Sequence, residues 1–333
     1  MKVLVTGAAG YVGCVLVPKL LAAGHQVTAF DIMYYGSEGL TPQPKLRIVK
    51  GDLRDTAHLT KELQGVEAVI HLACISNDPS FELDPALGKS INFDCFEPMV
   101  VAAKKAGVKR FIYASSSSVY GVSEAAEVNE DHPLKPLTDY SKFKAMCEEI
   151  LLRYRSPEWA ITIIRPATVC GYSPRTRLDL SVNILTNLAV NKRQITVFGG
   201  SQKRPNIHID DISDLYVQLL EMPPAKVDGG IYNAGYQNHT IAELAQMAKK
   251  VVEREFPGKP VEIVTSPTDD LRSYHVGSEL ISKKLGFWPK RTVEDAIVDL
   301  CRAFKAGKLP DSLTDPRYFN VKVMKGQGAA ATA

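Results

Sequence analysis

Tyr140 and Lys144 stand four residues apart in the run Tyr140-Ser141-Lys142-Phe143-Lys144. On a helix that spacing puts both side chains on one face. An ammonium close to a phenol favours the phenolate, so such a pair can take and return a proton near neutral pH. Tyr-x-x-x-Lys alone is a weak signal, and its weight comes from what stands upstream. The loop Thr6-Gly7-Ala8-Ala9-Gly10-Tyr11-Val12-Gly13 follows the apolar run Val3-Leu4-Val5 and precedes a helical pattern through Leu16, Leu20 and Leu21. Glycines so spaced between strand and helix let the backbone approach a pyrophosphate at a helix N-terminus. A glycine-rich turn that only packs helix on strand is the plainer alternative. Asp31 closes the next strand-like run, Gln26–Phe30. A carboxylate roughly 20 residues past such a loop accepts hydrogen bonds from an adenosine ribose. It repels a 2′-phosphate, and Ile32 and Met33 offer no arginine to hold one. The expected cofactor is therefore NAD rather than NADP.

These groups need a scaffold, and the apolar runs supply it. Strands are expected at Leu46–Val49, Ala68–Ala73, Phe111–Ala114 and Trp159–Arg165, with helical patterns near 56–63, 85–106 and 139–155. Alternation at this pitch predicts an α/β fold, a doubly wound parallel sheet of Rossmann type. Ligands on such sheets bind beyond the carboxyl ends of the strands, where Asp31, Asp52 and the serines 115–118 all fall. Past Pro166 segments shorten, and proline, glycine and arginine cluster in Gly171–Arg177. An amphipathic stretch from 178 to 189, a strand at Ile195–Phe198, and helices near 240–255 and 292–305 build a smaller α/β lobe, while a helix at 210–220 returns to the first. We expect an NAD-binding domain over 1–165, rejoined by 206–233, a second lobe over 166–325, and a disordered tail over 326–333.

Composition narrows the function classes. The net charge of +3 over 333 residues implies no polyanionic partner such as nucleic acid. No apolar run is long enough to span a bilayer, and Met1 leads directly into a strand without a signal segment. Six cysteines without a C-x-x-C pair suggest reduced thiols in a cytoplasmic protein, with no zinc site.

Taken together and in order, Thr6-Gly7-x-x-Gly10-x-x-Gly13, Gly51-Asp52-Leu53, His71-Leu72-Ala73, Ser115-Ser116, Val119-Tyr120-Gly121 and Tyr140-x-x-x-Lys144 resemble a known family. The chain is similar to extended short-chain dehydrogenase/reductases of the NAD-dependent nucleotide-sugar epimerase/dehydratase family, in its UDP-glucose 4-epimerase-like branch, over about 1–305. The resemblance implies that Tyr140 is the catalytic base, that Lys144 binds the nicotinamide ribose and lowers the tyrosine pKa, and that Ser116 holds the reacting oxygen. It implies cofactor contacts at Gly7, Gly10, Tyr11, Val12, Gly13, Asp31, Asp52, Leu53, Leu72 and Ala73, with Asn92 bracing the catalytic loop, and His71 structural. A nucleoside diphosphate sugar is expected at Thr168, Asp179, Leu180, Arg204 and Arg272. Arg272 is displaced from the family pattern, and Thr168 stands where many members have asparagine. Arg175 and Arg177 read equally as compensating cations or a solvated loop. Asp179 could meet the nucleobase or cap the following helix. The family also implies a homodimer through the helices near 92–106 and 140–154.

Members of this family begin by oxidising the sugar, usually at C4. A 4,6-dehydratase needs a carboxylate pair directly after the catalytic hydroxyl, where this chain has Ser117 and Ser118. Decarboxylases want glutamate at the second place. Epimerisation at C4 is the expected reaction. Net C4 oxidation is the alternative, since Ser173-Pro174-Arg175-x-Arg177-Leu178-Asp179-Leu180-x-Val182-Asn183 is similar to the matching run of GDP-heptose 4-dehydrogenases. A non-catalytic NAD-binding regulator is the different-class reading, and the presence of both Tyr140 and Lys144 counts against it.

Overall fold

The structure, a computed structural model, describes residues 1–331 except 124, 126, 269–272 and 274, with side chains as far as 326. Strands β1 (Lys2–Thr6), β2 (Gln26–Asp31), β3 (Leu46–Lys50), β4 (Ala68–His71), β5 (Arg110–Ala114) and β6 (Ala160–Pro166) build the main sheet. β7 (Thr168–Cys170), β8 (Gln194–Phe198) and β9 (Lys203–His208) lie elsewhere, and β10 (Gly230–Ala234) returns to the main sheet as its seventh strand. β11 (Gln237–Thr240) and β12 (Glu262–Ser266) complete the set. The large sheet runs β3-β2-β1-β4-β5-β6-β10, with every neighbour parallel. β11-β9-β7 and β12-β8 are separate small sheets.

Short parallel strands buried on both faces must be apolar throughout, and β1 shows why. Val3 and Val5 enter one core with Leu16, Leu20 and Leu215, while Leu4 enters the other with Phe30, Phe96 and Phe111. Helices α1 (Gly13–Ala22), α2 (Phe96–Lys105) and α3 (Asp139–Arg153) carry the first lobe. α4 (Ser181–Lys192) follows, and α5 (Ile209–Glu221) packs back on α1. α6 (Ile241–Glu255) and α7 (Val293–Lys305) pack with α4 into a second core. Among the described residues no helix is long and apolar enough to cross a membrane.

Two local expectations need correction. The helical pattern expected over 85–106 is broken by a π turn at Ser90–Asp94. There both amide ends of Asn92 bind the backbone of Ile75, at 2.8 and 3.0 Å, and hold the turn against the loop after β4. Residues 326–331, expected to be disordered, continue the last helix, α8 (Asn320–Ala331). Alanine, which dominates its end, is the best helix former.

α3 is held at three levels. Thr138 and Ser141 form a reciprocal cap at its start. Lys144 donates to the Ala114 carbonyl at the end of β5, at 2.6 Å. One turn on, Glu148 pairs with Arg165 of β6 at 2.6 Å and accepts a hydrogen bond from Ser115. Arg165 also donates to Tyr120, whose hydroxyl donates to Asn233 of β10, both at 2.7 Å. Burial disfavours the Arg165 charge, yet Glu148 and Tyr120 hold it firmly protonated. Removing one partner of a buried pair typically costs about 3–5 kcal/mol, while replacing both with apolar groups costs far less. Arg165→Met should therefore lower the urea midpoint strongly, and Arg165→Met/Glu148→Leu should recover most of it. An Arg165→Met midpoint equal to wild type would show that this pair does not hold the sheet to α3.

Candidate functional site

The carboxyl ends of β1, β2, β4, β5 and β6 open into one cleft of about 350 Å³. Gly7, Gly10, Tyr11, Val12 and Gly13 line it, with Asp31, Asp52, Leu53, Leu72 and Ala73. Ser116, Tyr140, Lys144, Thr168 and Leu180 join them. The structure thus gathers residues from well separated parts of the chain.

The glycine-rich loop packs tightly against the backbone around it. At Gly7, with φ +72°, a Cβ would lie 2.7 Å from the Ala73 nitrogen, and at Gly13 it would overlap the Ala8 carbonyl. Only glycine lets these backbones approach so closely. α1 begins at Gly13 with no acidic residue in its first turn, leaving its positive end for an anion. Asp31 accepts from the amides of Ala9 and Met33 at 2.9 and 2.7 Å. Burial raises its pKa, and these amides together with Arg175 oppose that. Asp52 is partly desolvated as well, but Arg54 wins and lowers its pKa. Its carboxylate lies 2.5 Å from the Arg54 guanidinium.

At the other end of the cleft sits Tyr140. Burial is the largest influence on its phenol and pushes the pKa well above the ordinary value, with Cys74 and Asp78 adding to it. A hydrogen bond with Ser116 and the charge of Arg177 work the other way. Lys144, expected to lower the tyrosine pKa, stands nearby but is directed elsewhere. Its nitrogen is 6.0 Å from the Tyr140 ring centre and 5.0 Å from that of Tyr113, and it is occupied by the Ala114 carbonyl. Ser116 caps the short 3₁₀ turn Ser117–Tyr120, and its hydroxyl lies 2.8 Å from that of Ser118. His71 bonds Thr6 at 2.6 Å and stacks on Tyr113, a structural role.

Other expected site residues lie elsewhere. Asn92 is not part of the lining, because Ile75 occupies both ends of its amide. It positions the loop rather than touching a cofactor. Asp179 neither lines the cleft nor caps α4, whose cap residue is Leu180. One of its oxygens takes Arg177 Nε and the other the Asn320 amide, both at 2.9 Å. Arg204 lies on β9 outside the lining, donating to the Lys203 carbonyl at 2.9 Å. Arg272 falls outside the described residues.

Several lining residues carry no motif: Tyr34, Tyr35, Cys74, Asp78 and Asn320. Asp78 accepts from Thr138 at 2.6 Å, which ties it to the start of α3. Arg175 and Arg177 also line the cleft, and both are buried rather than solvated. Their loop is fastened to the glycine-rich loop. Ser173 donates to the Tyr11 carbonyl at 2.8 Å, and the Tyr11 hydroxyl donates to that of Gly171 at 2.6 Å. Asn183 completes the joint with a bond to the Tyr11 hydroxyl at 3.0 Å.

Residues 3–235 match the model of the NAD-dependent epimerase/dehydratase family. A UDP-glucose 4-epimerase of Bacillus subtilis is 28% identical, covering 91% of this chain and 96% of its own. A probable UDP-arabinose 4-epimerase of Arabidopsis thaliana is 27% identical over 81% and 75%. Among solved structures, a Thermotoga maritima UDP-glucose 4-epimerase with UDP-glucose has a TM-score of 0.81 at 24% identity, covering 92% and 99%. A dTDP-glucose 4,6-dehydratase of Streptomyces venezuelae with NAD scores 0.82 at 23%, covering 95% and 100%. These structures establish the fold.

Burial, with the charge of Lys144 adding to it, pushes the His71 pKa down to about 3. Between pH 6.5 and 3 the unfolded chain therefore binds a proton there that the native state refuses. Stability from this source is complete above pH 6.5 and falls as the pH drops toward 3. A His71→Gln variant should show a shallower loss of urea stability over that window. Parallel curves for variant and wild type would remove His71 as a source of acid sensitivity.

Proposed function

The chain belongs to the NAD-dependent epimerase/dehydratase family, it is an NAD-dependent enzyme, and from that premise we propose that it epimerises a nucleoside diphosphate hexose at C4. The observation that carries this reading is the serine turn. Ser116 acts to lower the Tyr140 pKa and its hydroxyl lies 2.8 Å from that of Ser118, while Ser117 is buried. Directly after the catalytic hydroxyl there is no carboxylate to eliminate water across C5 and C6. The chain therefore holds what oxidation and re-reduction at one carbon require.

Bound NAD supplies the two-electron acceptor that is regenerated in each turnover. Tyr140 takes the C4 hydroxyl proton, and Ser116 holds that oxygen in line for transfer. Burial keeps the resting phenol protonated, so the base forms only when added positive charge in the cleft offsets desolvation. Lys144 is placed at the end of β5 to hold a ribose hydroxyl. The 4-keto sugar then turns over, so that hydride would return to the opposite face of C4 while Tyr140 gives the proton back to the C4 oxygen. Thr168 and Leu180 are our candidates for the substrate side.

Net oxidation at C4 is the second reading, favoured by the Ser173–Asn183 run. The protein is further read as a cytoplasmic homodimer, supported by Leu137 and Met146, exposed apolar residues at and beside α3. A monomeric mass by light scattering would contradict the dimer.

Purified protein should be offered UDP-, dTDP- and GDP-sugars with and without added NAD, with products followed by proton NMR and reduced cofactor by near-ultraviolet absorbance. Conversion to a stereoisomer without accumulating NADH is expected. Stoichiometric NADH that appears only with added NAD would make the enzyme a C4 dehydrogenase. Tyr140→Phe should lose roughly 100-fold or more in turnover, the scale of a lost general base, while binding NAD as before. Retained turnover would reassign the base.

A further inference from the structure

The cleft holds two buried cations, each with one donor that the protein does not satisfy. Arg175 and Arg177 are each 7% exposed. Arg175 donates Nη2 to Asn320 Oδ1 at 2.6 Å and lies 4.1 Å over the Tyr35 ring. Its Nε has no partner among the described residues. Arg177 donates Nε to Asp179 and Nη1 to Ser76 Oγ, the latter at 3.1 Å, and its buried Nη2 is likewise without a partner. Unpaired donors on buried charges are costly. Two guanidiniums also repel each other, and burial together with the charge of Arg177 lowers the Arg175 pKa to about 10. A cleft that keeps both is arranged for an anion.

Position says which anion. Their loop is fastened to Tyr11 of the glycine-rich loop. The cleft that both arginines line holds Asp31 at the end expected to meet the ribose and Tyr140 at the reacting end. The part of a dinucleotide that spans between those two ends is its diphosphate. We propose that Arg175 and Arg177 bind the diphosphate of NAD, adding second-lobe cations to the backbone amides of the glycine-rich loop. This rests on the family's cofactor and is independent of the epimerase reading.

Asn320 is the positioning residue. Its side-chain oxygen takes Arg175, its side-chain nitrogen reaches Ser76 at 3.2 Å, and its backbone amide binds Asp179, the partner of Arg177. The first residue of α8 therefore orients both guanidiniums at once, and the C-terminal helix becomes part of cofactor recognition.

The test compares NAD, ADP-ribose, adenosine and UDP as ligands of the full-length chain by calorimetric titration. Arg175→Met and the charge-compensated Arg177→Met/Asp179→Asn should weaken NAD and ADP-ribose by roughly 10- to 100-fold, the scale of a lost charged hydrogen bond. Adenosine binding should stay within about twofold, which also reports an intact fold. Asn320→Ala should weaken ADP-ribose without changing adenosine. Unchanged ADP-ribose affinity in both arginine variants would overturn the proposal. So would a loss confined to UDP, which would move the arginines to the substrate diphosphate, or an equal loss of adenosine, which would make them structural.

Discussion

The site depends on α3 being fixed in rotation and height. Tyr140 lies in its first turn and Lys144 one turn on, so a small rotation would carry both out of the cleft. The capping pair Thr138 and Ser141 sets the start of the helix, and Glu148 sets its middle through Arg165 and Ser115. A buried ion pair contributes little net stability, because desolvating both charges offsets most of their attraction. What it contributes here is geometric. One guanidinium joins β6 to α3 and, through Tyr120 and Asn233, to the serine turn and β10. The Tyr140 and Ser116 hydroxyls are thereby referenced to the rigid sheet rather than to a loop.

That rigidity has an electrostatic consequence. Sequence spacing places an ammonium and a phenol on one helix face, and the structure keeps them there. It does not aim the ammonium at the phenol. Lys144 is directed to the Ala114 carbonyl and the face of Tyr113, while Tyr140 is desolvated among Cys74, Asp78 and Ser116. Desolvation wins in the resting cleft. On the proposed function, positive charge brought by an oxidised cofactor would act against that penalty and would couple formation of the base to the oxidation state that can use it.

How much of this was legible follows the same division. Apolar runs mark β1, β2, β4 and β5 to within a residue or two, and glycine spacing marks the loop, because both are local demands. Asp31 was legible for the same reason. Asp179 was not, since its partners Arg177 and Asn320 stand 2 and 141 residues away, and no local rule connects the second. Asn92 shows the same limit. A brace is what the resemblance implies for it, but only the folded chain shows that its partner is the backbone of Ile75. Arg175 and Arg177 read in sequence equally as compensating cations or a solvated loop, and the fold decides it by docking Ser173 on Tyr11 and burying both.

The C-terminal helix bears on whether such an enzyme isomerises or oxidises. The two activities share the first oxidation step and differ in whether the reduced cofactor leaves before the ketone is reduced again. Here the cleft is closed from three parts of the chain: the glycine-rich loop, the loop after β7 and the start of α8. Separating the loop after β7 from the glycine-rich loop would break the Tyr11 contacts of Ser173 and Asn183 together, while Asn320 ties α8 to Arg175 of the same loop. Contacts that must break together slow release more than contacts that break in turn. Such a cleft favours retention of the cofactor through a turnover, and retention is what an epimerase needs and a dehydrogenase does not.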